Sequence, residues 1–425
     1  MISPAAVGIM KVYWIEVRRS PLVWCLPLLL LVEFASVFGR SQWWIGVWPQ
    51  ASAAAQIPAI FFAPAFSAAA AWSVNRSLRT GMLEQRRNSA QPLWKLDLIH
   101  FLATLTHGIA VYTIGIVAAA LVTFPDAGRG FLWPSYLLLG AATITACAAV
   151  GHIVGRLTNS PFAAPVICGL ATFVGLGSLG KSLGLFVLSG SPAYEVPSKA
   201  LAPRIVLAAV LVAIAVLAPS LFKPTTLWSP KGDQRLVIGM GFVGAVITTM
   251  VLISMSGPIQ APRSASVDPL CSQGAPKVCV WPEDKKYLNE LAAMAQRLDE
   301  IPQDWITVPR AMYERGLRKP SEKTANDFEV LEGNFWFVSP NMAGSVMELS
   351  LHVQCPEDEA VGLAIRELEA WLEVRANNNQ PRRGIYGGPP GVDYNMLSRV
   401  AAATEAEQKT WVDNRLRATR KTSCD

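Results

Sequence analysis

The stretch "GLGSLGKSLG" (175–184) supports two incompatible readings, and the choice between them decides the fold. Gly175, Gly180, Lys181 and Ser182 match GxxxxGK[ST], the loop whose backbone N–H groups and lysine cradle nucleotide phosphates. A working phosphate loop also needs a strand before it, a helix whose N-terminus faces the phosphates, and an acidic residue for magnesium. Here the preceding residues are "ICGLATFV" (167–174), an apolar run of membrane type. The alternative is the end of a membrane helix, where small residues permit close helix approach or a break near the interface. The surrounding chain favours this second reading, and the motif match at 175–182 is a coincidence.

Composition divides the 425 residues into two parts. Residues 1–256 carry 17 Lys/Arg against 7 Asp/Glu, whereas residues 257–425 carry 20 against 24. The first part reads as membrane and the second as a water-soluble domain large enough for its own core. The basic surplus belongs to membrane flanks, so it gives no reason to expect nucleic acid as a partner. The first apolar run starts at Pro21 and is followed by further spans, so it reads as a retained helix rather than a cleaved signal.

A bilayer core of roughly 30 Å requires about 20 apolar residues per helix. Seven stretches qualify: 21–39, 51–74, 98–123, 134–155, 161–180, 203–222 and 236–255. Lys and Arg in short loops set orientation. The N-terminus, the 75–97 loop, the 156–160 turn and the 223–235 loop hold 12 of them, and the alternate loops hold 5 (Arg40, Arg129, Lys181, Lys199, Arg204). The N-terminal segment 1–20 is then cytoplasmic or interfacial, with Tyr13, Trp14 and Val17 toward lipid and Lys11, Arg18 and Arg19 toward headgroups. Trp43, Trp44 and Trp48 read as an outer interfacial belt. Seven spans place the C-terminal domain (271–425) outside, beyond a Pro- and Ser-rich, semi-flexible linker at 256–270. Cys271, Cys279, Cys355 and Cys424 all fall in that domain, as candidates for disulfides in an oxidising compartment. Three pairings are open, and Cys271–Cys279 with Cys355–Cys424 is favoured because the first pair is local.

The cytoplasmic segment 76–94 has arginines on both sides of Gly81, a Met82–Leu83 apolar point, and a charged set of Arg79, Glu84, Arg86 and Arg87. A short helix there would offer a docking knob with a charged rim; the plainer alternative is a basic loop with no partner. "WIEVRRSPLVW" (14–24) and "NRSLRTGMLEQRRNSAQPLWK" (75–95) resemble membrane subunits of type 2 ABC transporters, the exporter class. The likeness covers roughly residues 5–222 and lies in layout more than in identities. It implies a connecting helix before span one, a coupling helix between spans two and three, a six-span permease that pairs with an identical or different copy, and a separate cytoplasmic ATPase. It also implies short re-entrant outer helices in "KSLGLFVLSGSPAYEVPSKALA" (181–202). The seventh span and the C-terminal domain depart from the pattern. That domain resembles outer domains of actinobacterial membrane proteins, a likeness that carries no activity.

Polar groups within spans are costly and therefore functional candidates. These are Glu33, near Arg40, with His100 and His107 on one face of span three and His152 in span four. They suit either proton movement or hydrogen bonding between helices, and the second is the simpler. In the C-terminal domain, helices are expected over 284–300, from Pro340 to Val353, over 358–376 and over 392–420. "DFEVLEGNFWFVS" (327–339) alternates like one or two short strands, and the Gly-Pro loop 381–393 breaks the helices. His352 has no HExxH or HxxEH around it, and Ser345 lacks a GxSxG setting, so neither metal, cofactor nor hydrolase site is expected. The expected whole is a polytopic α-helical membrane protein of the bacterial plasma membrane, with six permease-like spans, a seventh, and a mainly helical α(+β) extracytoplasmic domain. Its function is export powered by a separate ATPase. The alternative is a membrane-anchored binding, sensing or assembly protein that does not transport.

Overall fold

In a computed structural model, the described residues are 4–79, 92–158, 160, 162–222, 232–265, 268–319, 326–331, 334–351, 358–380 and 388–419. The apolar runs form long helices: α1 (Pro4–Arg19), α2 (Leu22–Phe38), the short α3 (Ser41–Trp44), α4 (Trp48–Gln56), α5 (Ala59–Arg79), α6 (Leu93–Thr123), α7 (Pro134–Leu157), α8 (Ala163–Leu183), α9 (Ser198–Phe222) and α10 (Gly232–Met255). Six helical stretches are long and apolar enough to cross a bilayer, or seven if α1 and α2, bent by 66°, count as one span. Lengths and compositions of this kind define a multi-pass helical membrane protein. The bend falls at Ser20–Pro21, where proline cannot continue the ladder of α1. The second span is α4 continued by α5 after a break at Ile57–Pro58.

Residues 175–182 lie inside α8, so their N–H groups serve the helix and form no phosphate cradle. Gly184 then ends α8 in the left-handed region (φ +60°), and the chain continues without helix through a turn at Pro192–Ala193 to Pro197. This corrects the expectation of re-entrant helices at 181–202. The only regular element between Gly184 and Pro197 is β1 (Tyr194–Glu195), which pairs antiparallel with β2 (Ala261–Pro262). Within the 256–270 segment, the described stretch around β2 is fixed in place. It is stitched to the bundle by that ladder, and Arg263 stacks between Trp133 (5.3 Å) and Trp281 (4.6 Å).

The C-terminal part has its own sheet of β3 (Leu270–Cys271), β4 (Lys277–Val280) and β5 (Ala311–Tyr313), with β3 antiparallel and β5 parallel to β4. Cys271 and Cys279 face each other across β3 and β4 and are joined, with an S–S distance of 2.07 Å. Cys355 and Cys424 lie outside the described residues. Around the sheet pack α11 (Leu288–Asp299), α12 (Ser339–Ser350), α13 (Glu359–Ala376), α14 (Tyr394–Ala401) and α15 (Glu405–Thr419). Their core holds Leu291, Met294, Leu298, Phe328, Leu368 and Trp371 at 0% exposure. Among the described residues of 327–339, the expected strands are isolated bridges followed by a 3-10 turn at Phe335–Phe337, where the Asn334 side chain accepts the Trp336 N–H and caps the turn. The expected single helix over 392–420 is two. Thr404 and Glu407 start a new helix there, with the Glu407 carboxylate accepting the Thr404 N–H (3.0 Å) and hydroxyl (2.8 Å).

Candidate functional site

Polar side chains form clusters at both ends of the bundle. At the end reached by the N-terminus, α1 crosses α6 at an angle to α2. Tyr13 and Thr106 share a hydrogen bond of 2.6 Å, and Glu16 lies 3.7 Å from His100. Between this elbow and α5, α6 and α8 is a cavity of about 320 Å³ lined by Glu16, Ser20, Cys25, Trp72, Ser73 and Thr104, among others. A carboxylate, hydroxyls and an indole on an otherwise apolar wall suit a molecule with an apolar body and a polar end.

Beside it, Asp97 of α6 pairs with Arg156 of α7, and His152 Nε2 stands 4.0 Å from the same carboxylate. The His152 ring meets Phe101 edge-on, with centroids 5.8 Å apart. Near the end of α5, Asn75 donates to Ser160 O (3.4 Å). Asp97 is only 2% exposed, yet sequence reasoning passed over it. Its position near the start of the third span hid a buried ion pair whose partner comes from the next helix.

The four intramembrane candidates do not converge. His100 meets Glu16 on α1, whereas His107 is bonded within its own helix, Nδ1 to Ala103 O at 2.8 Å. His152 joins the Asp97 cluster. Glu33 is fully buried in the middle of the bundle against Gly115 and Tyr112, and neither of its carboxylate oxygens has a hydrogen-bond partner among the described residues. Arg40 instead lies over the Trp43 ring at 4.7 Å. Of the coupling-segment candidates, Arg79 closes the backbone of α5, and Met82, Leu83, Glu84, Arg86 and Arg87 lie outside the described residues.

At the opposite end, two of the three tryptophans of the supposed belt are internal, while Trp43 stays half-exposed under Arg40. Trp44 and Trp48 are 4% and 1% exposed, because each indole N–H finds a carbonyl inside the protein: Val37 O at 2.8 Å and Gly128 O at 3.0 Å. The C-terminal domain sits on this end. Lys286 Nζ donates to Ile45 O (2.8 Å) and the Tyr287 hydroxyl to Trp43 O (3.1 Å). Gly128 lies so close to Pro282 O that no side chain fits there. Arg263 binds Glu283 at 2.7 Å. In comparisons with family models, curated proteins and solved structures, nothing matches this chain.

Proposed function

We propose that the chain is the membrane-spanning permease subunit of an ABC-type exporter, powered by a separate cytoplasmic ATPase that docks on residues 76–94. In this reading the bundle lies in the bacterial plasma membrane with its N-terminus cytoplasmic. The C-terminal domain is extracytoplasmic and contacts cargo or a partner. The observation that carries the reading is the elbow: α1 turns by 66° before α2 and rests on α6 through Tyr13 and Glu16. A helix held across the base of the bundle, next to the ends of α5 and α6, can pass a movement of the 76–94 segment to the cavity wall. The bias of 12 to 5 in Lys and Arg between the two sets of loops supports the same orientation.

The test replaces Met82 and Leu83 together by Asp in the full chain. Apolar anchors at the centre of a small interface carry most of its free energy, about 2 kcal/mol or more each. The double variant should lose its co-purifying ATP hydrolysis and its ATP-driven transport in vesicles, while keeping the fold of the C-terminal domain. A double variant that retains both activities, or a wild-type chain that never captures an ATPase, would move the non-transporting alternative ahead.

A further inference from the structure

The cavity under the α1–α2 elbow changes character along its length. α2 leaves the bend at Ser20–Pro21 and α5 arrives beside it, so Ser20 and Ser73 lie near the bend. Cys25 on α2, with Ala68 and Ala69 on α5, lies about one helical turn deeper. Glu16, in the last turn of α1, belongs to the shallow end, where it stands 3.7 Å from His100. The deeper part opens to the outside of the bundle: Cys25 is exposed, as are its neighbours Trp24 and Leu28. In a membrane-spanning bundle, that apolar face of α2 is covered by lipid. Arg18 and Arg19, exposed at the end of α1, mark the level of the lipid headgroups.

The shallow end is rich in hydrogen-bond acceptors. A carboxylate offers about four lone-pair sites, so one neighbouring imidazole does not exhaust Glu16. The Thr104 hydroxyl donates its proton to His100 O (3.1 Å), and Ser20 Oγ accepts the Leu22 N–H (3.3 Å); each oxygen keeps a lone pair for a further donor. A ligand that fits must therefore bring donors and positive charge. A primary ammonium brings both, as three N–H groups on a compact cation. A quaternary ammonium has no N–H and is held by cages of aromatic rings, whereas Trp72 is the one aromatic among the described residues of the lining. Arg18 and Arg19 follow Glu16 on the same helix, which suits a phosphate next to the ammonium.

We propose that this cavity binds a bilayer phospholipid with a primary-ammonium headgroup, its ammonium on Glu16 and one acyl chain along Cys25, Ala68 and Ala69. The phosphate then lies at the level of Arg18 and Arg19, and the second chain stays in the bilayer. The volume agrees with a partial guest. About 320 Å³ is near the lower end of ligand pockets, enough for a headgroup and the start of one chain but not for a whole two-tailed lipid. Bound there, the lipid touches α1, α2 and α5 together and braces the elbow against the bundle. The inference concerns binding alone and does not depend on whether the bundle transports.

The experiment purifies the full chain in a mild detergent and offers it phosphatidylethanolamine, phosphatidylcholine and phosphatidylglycerol in equal amounts, all with the same acyl chains. Native mass spectrometry then counts the lipids retained. The wild type should keep one phosphatidylethanolamine in preference to phosphatidylcholine by about tenfold, the scale of one hydrogen bond to a charged group. Glu16→Gln should abolish that preference. Ser73→Leu, which sets an apolar group at the polar end and leaves Glu16 in place, should abolish it too, and it carries the test if the Gln variant does not fold. In parallel, phosphatidylethanolamine should slow the alkylation of Cys25 by N-ethylmaleimide where phosphatidylcholine does not, with Cys25→Ser giving the background from other thiols. Equal retention of the two lipids, or a preference that survives both substitutions, would overturn the proposal. A Cys25 rate indifferent to phosphatidylethanolamine would do the same, because the lipid would then sit elsewhere. Preferred retention of phosphatidylglycerol would assign the binding to Arg18 and Arg19 without Glu16. Displacement of phosphatidylethanolamine by an equal amount of dodecylamine would make a single-chain amine the occupant, and either result refutes the phospholipid site.

Discussion

Gly151 and Gly155 of α7 are two points at which the bundle cannot accept added volume, because the backbone of α5 lies against them. A Cβ on Gly151 would stand 2.6 Å from the Ser67 carbonyl carbon and 2.8 Å from its Cα; one on Gly155 would stand 2.7 Å from Ala71 Cα. Carbon atoms rest comfortably at about 3.5–4.0 Å, so α5 and α7 would have to part by roughly 1 Å. The obstructing atoms are backbone, and no side-chain rotation relieves them. Overpacking of this kind costs about 1–3 kcal/mol, and Gly151→Ala should fall at the upper end because its clash is the worst. Gly175 and Gly241 serve as internal controls, since nothing lies within 4 Å of a Cβ built on either. There, Ala replaces Gly in a helix without a clash, and the change should be neutral or stabilising by up to about 1 kcal/mol. Equilibrium unfolding in mixed micelles, followed by tryptophan fluorescence, measures all four variants on one scale. If Gly151→Ala and Gly155→Ala are as stable as Gly175→Ala, the close approach of α5 and α7 is wrong, and the packing of the bundle with it.

Two other perturbations read other parts of the molecule. Removing Asp97 leaves Arg156 partly buried without its carboxylate, and breaking a buried pair by deleting one partner costs about 3 kcal/mol or more. A double-mutant cycle of Asp97→Asn and Arg156→Gln should therefore show strong coupling, and additive effects would mean that the two side chains do not pair. Thr404→Ala removes the hydroxyl that donates to Glu407 at the start of α15 and should cost about 1 kcal/mol, seen as faster hydrogen exchange at 404–408 with the membrane bundle unaffected.

Much of the membrane part was legible because a run of about 20 apolar residues has few soluble alternatives, and six of the seven expected spans match single helices within a few residues. What escaped reading depends on partners distant in the chain. "GHIVG" (151–155) has the small-xxx-small spacing, but so do stretches whose glycines face open space, so spacing alone could not choose between them. Trp44 and Trp48 are buried where the sequence suggests an interfacial belt, because an indole suits an interface and a buried carbonyl equally well. Glu314 reaches the Trp281 N–H only because β4 and β5 run parallel, a register that no local pattern announces. The break before α15 is different. The sequence Thr404-Glu405-Ala406-Glu407 is a readable capping box, overlooked because helical periodicity continued on both sides of it.

The position of α10 bears on how the C-terminal domain could report on the bundle at all. Only 11% of its apolar window is buried in the protein, and its principal packing neighbour is α9. A helix held so lightly is a poor lever. The contacts that bind the domain lie past its end, where β2 pairs with β1, Arg263 is held between two tryptophans, and Arg204 reaches from α9 to Ser256 (3.2 Å). Movement of α6 or α7 therefore reaches the domain through the 124–133 loop, which carries Gly128 and Trp133, rather than through its own tether. Helices that shift at the Asp97–Arg156 end of α6 and α7 would displace that loop at the other end. The turn at 281–287, held to the bundle by Lys286 and Tyr287, is where the displacement is first resisted.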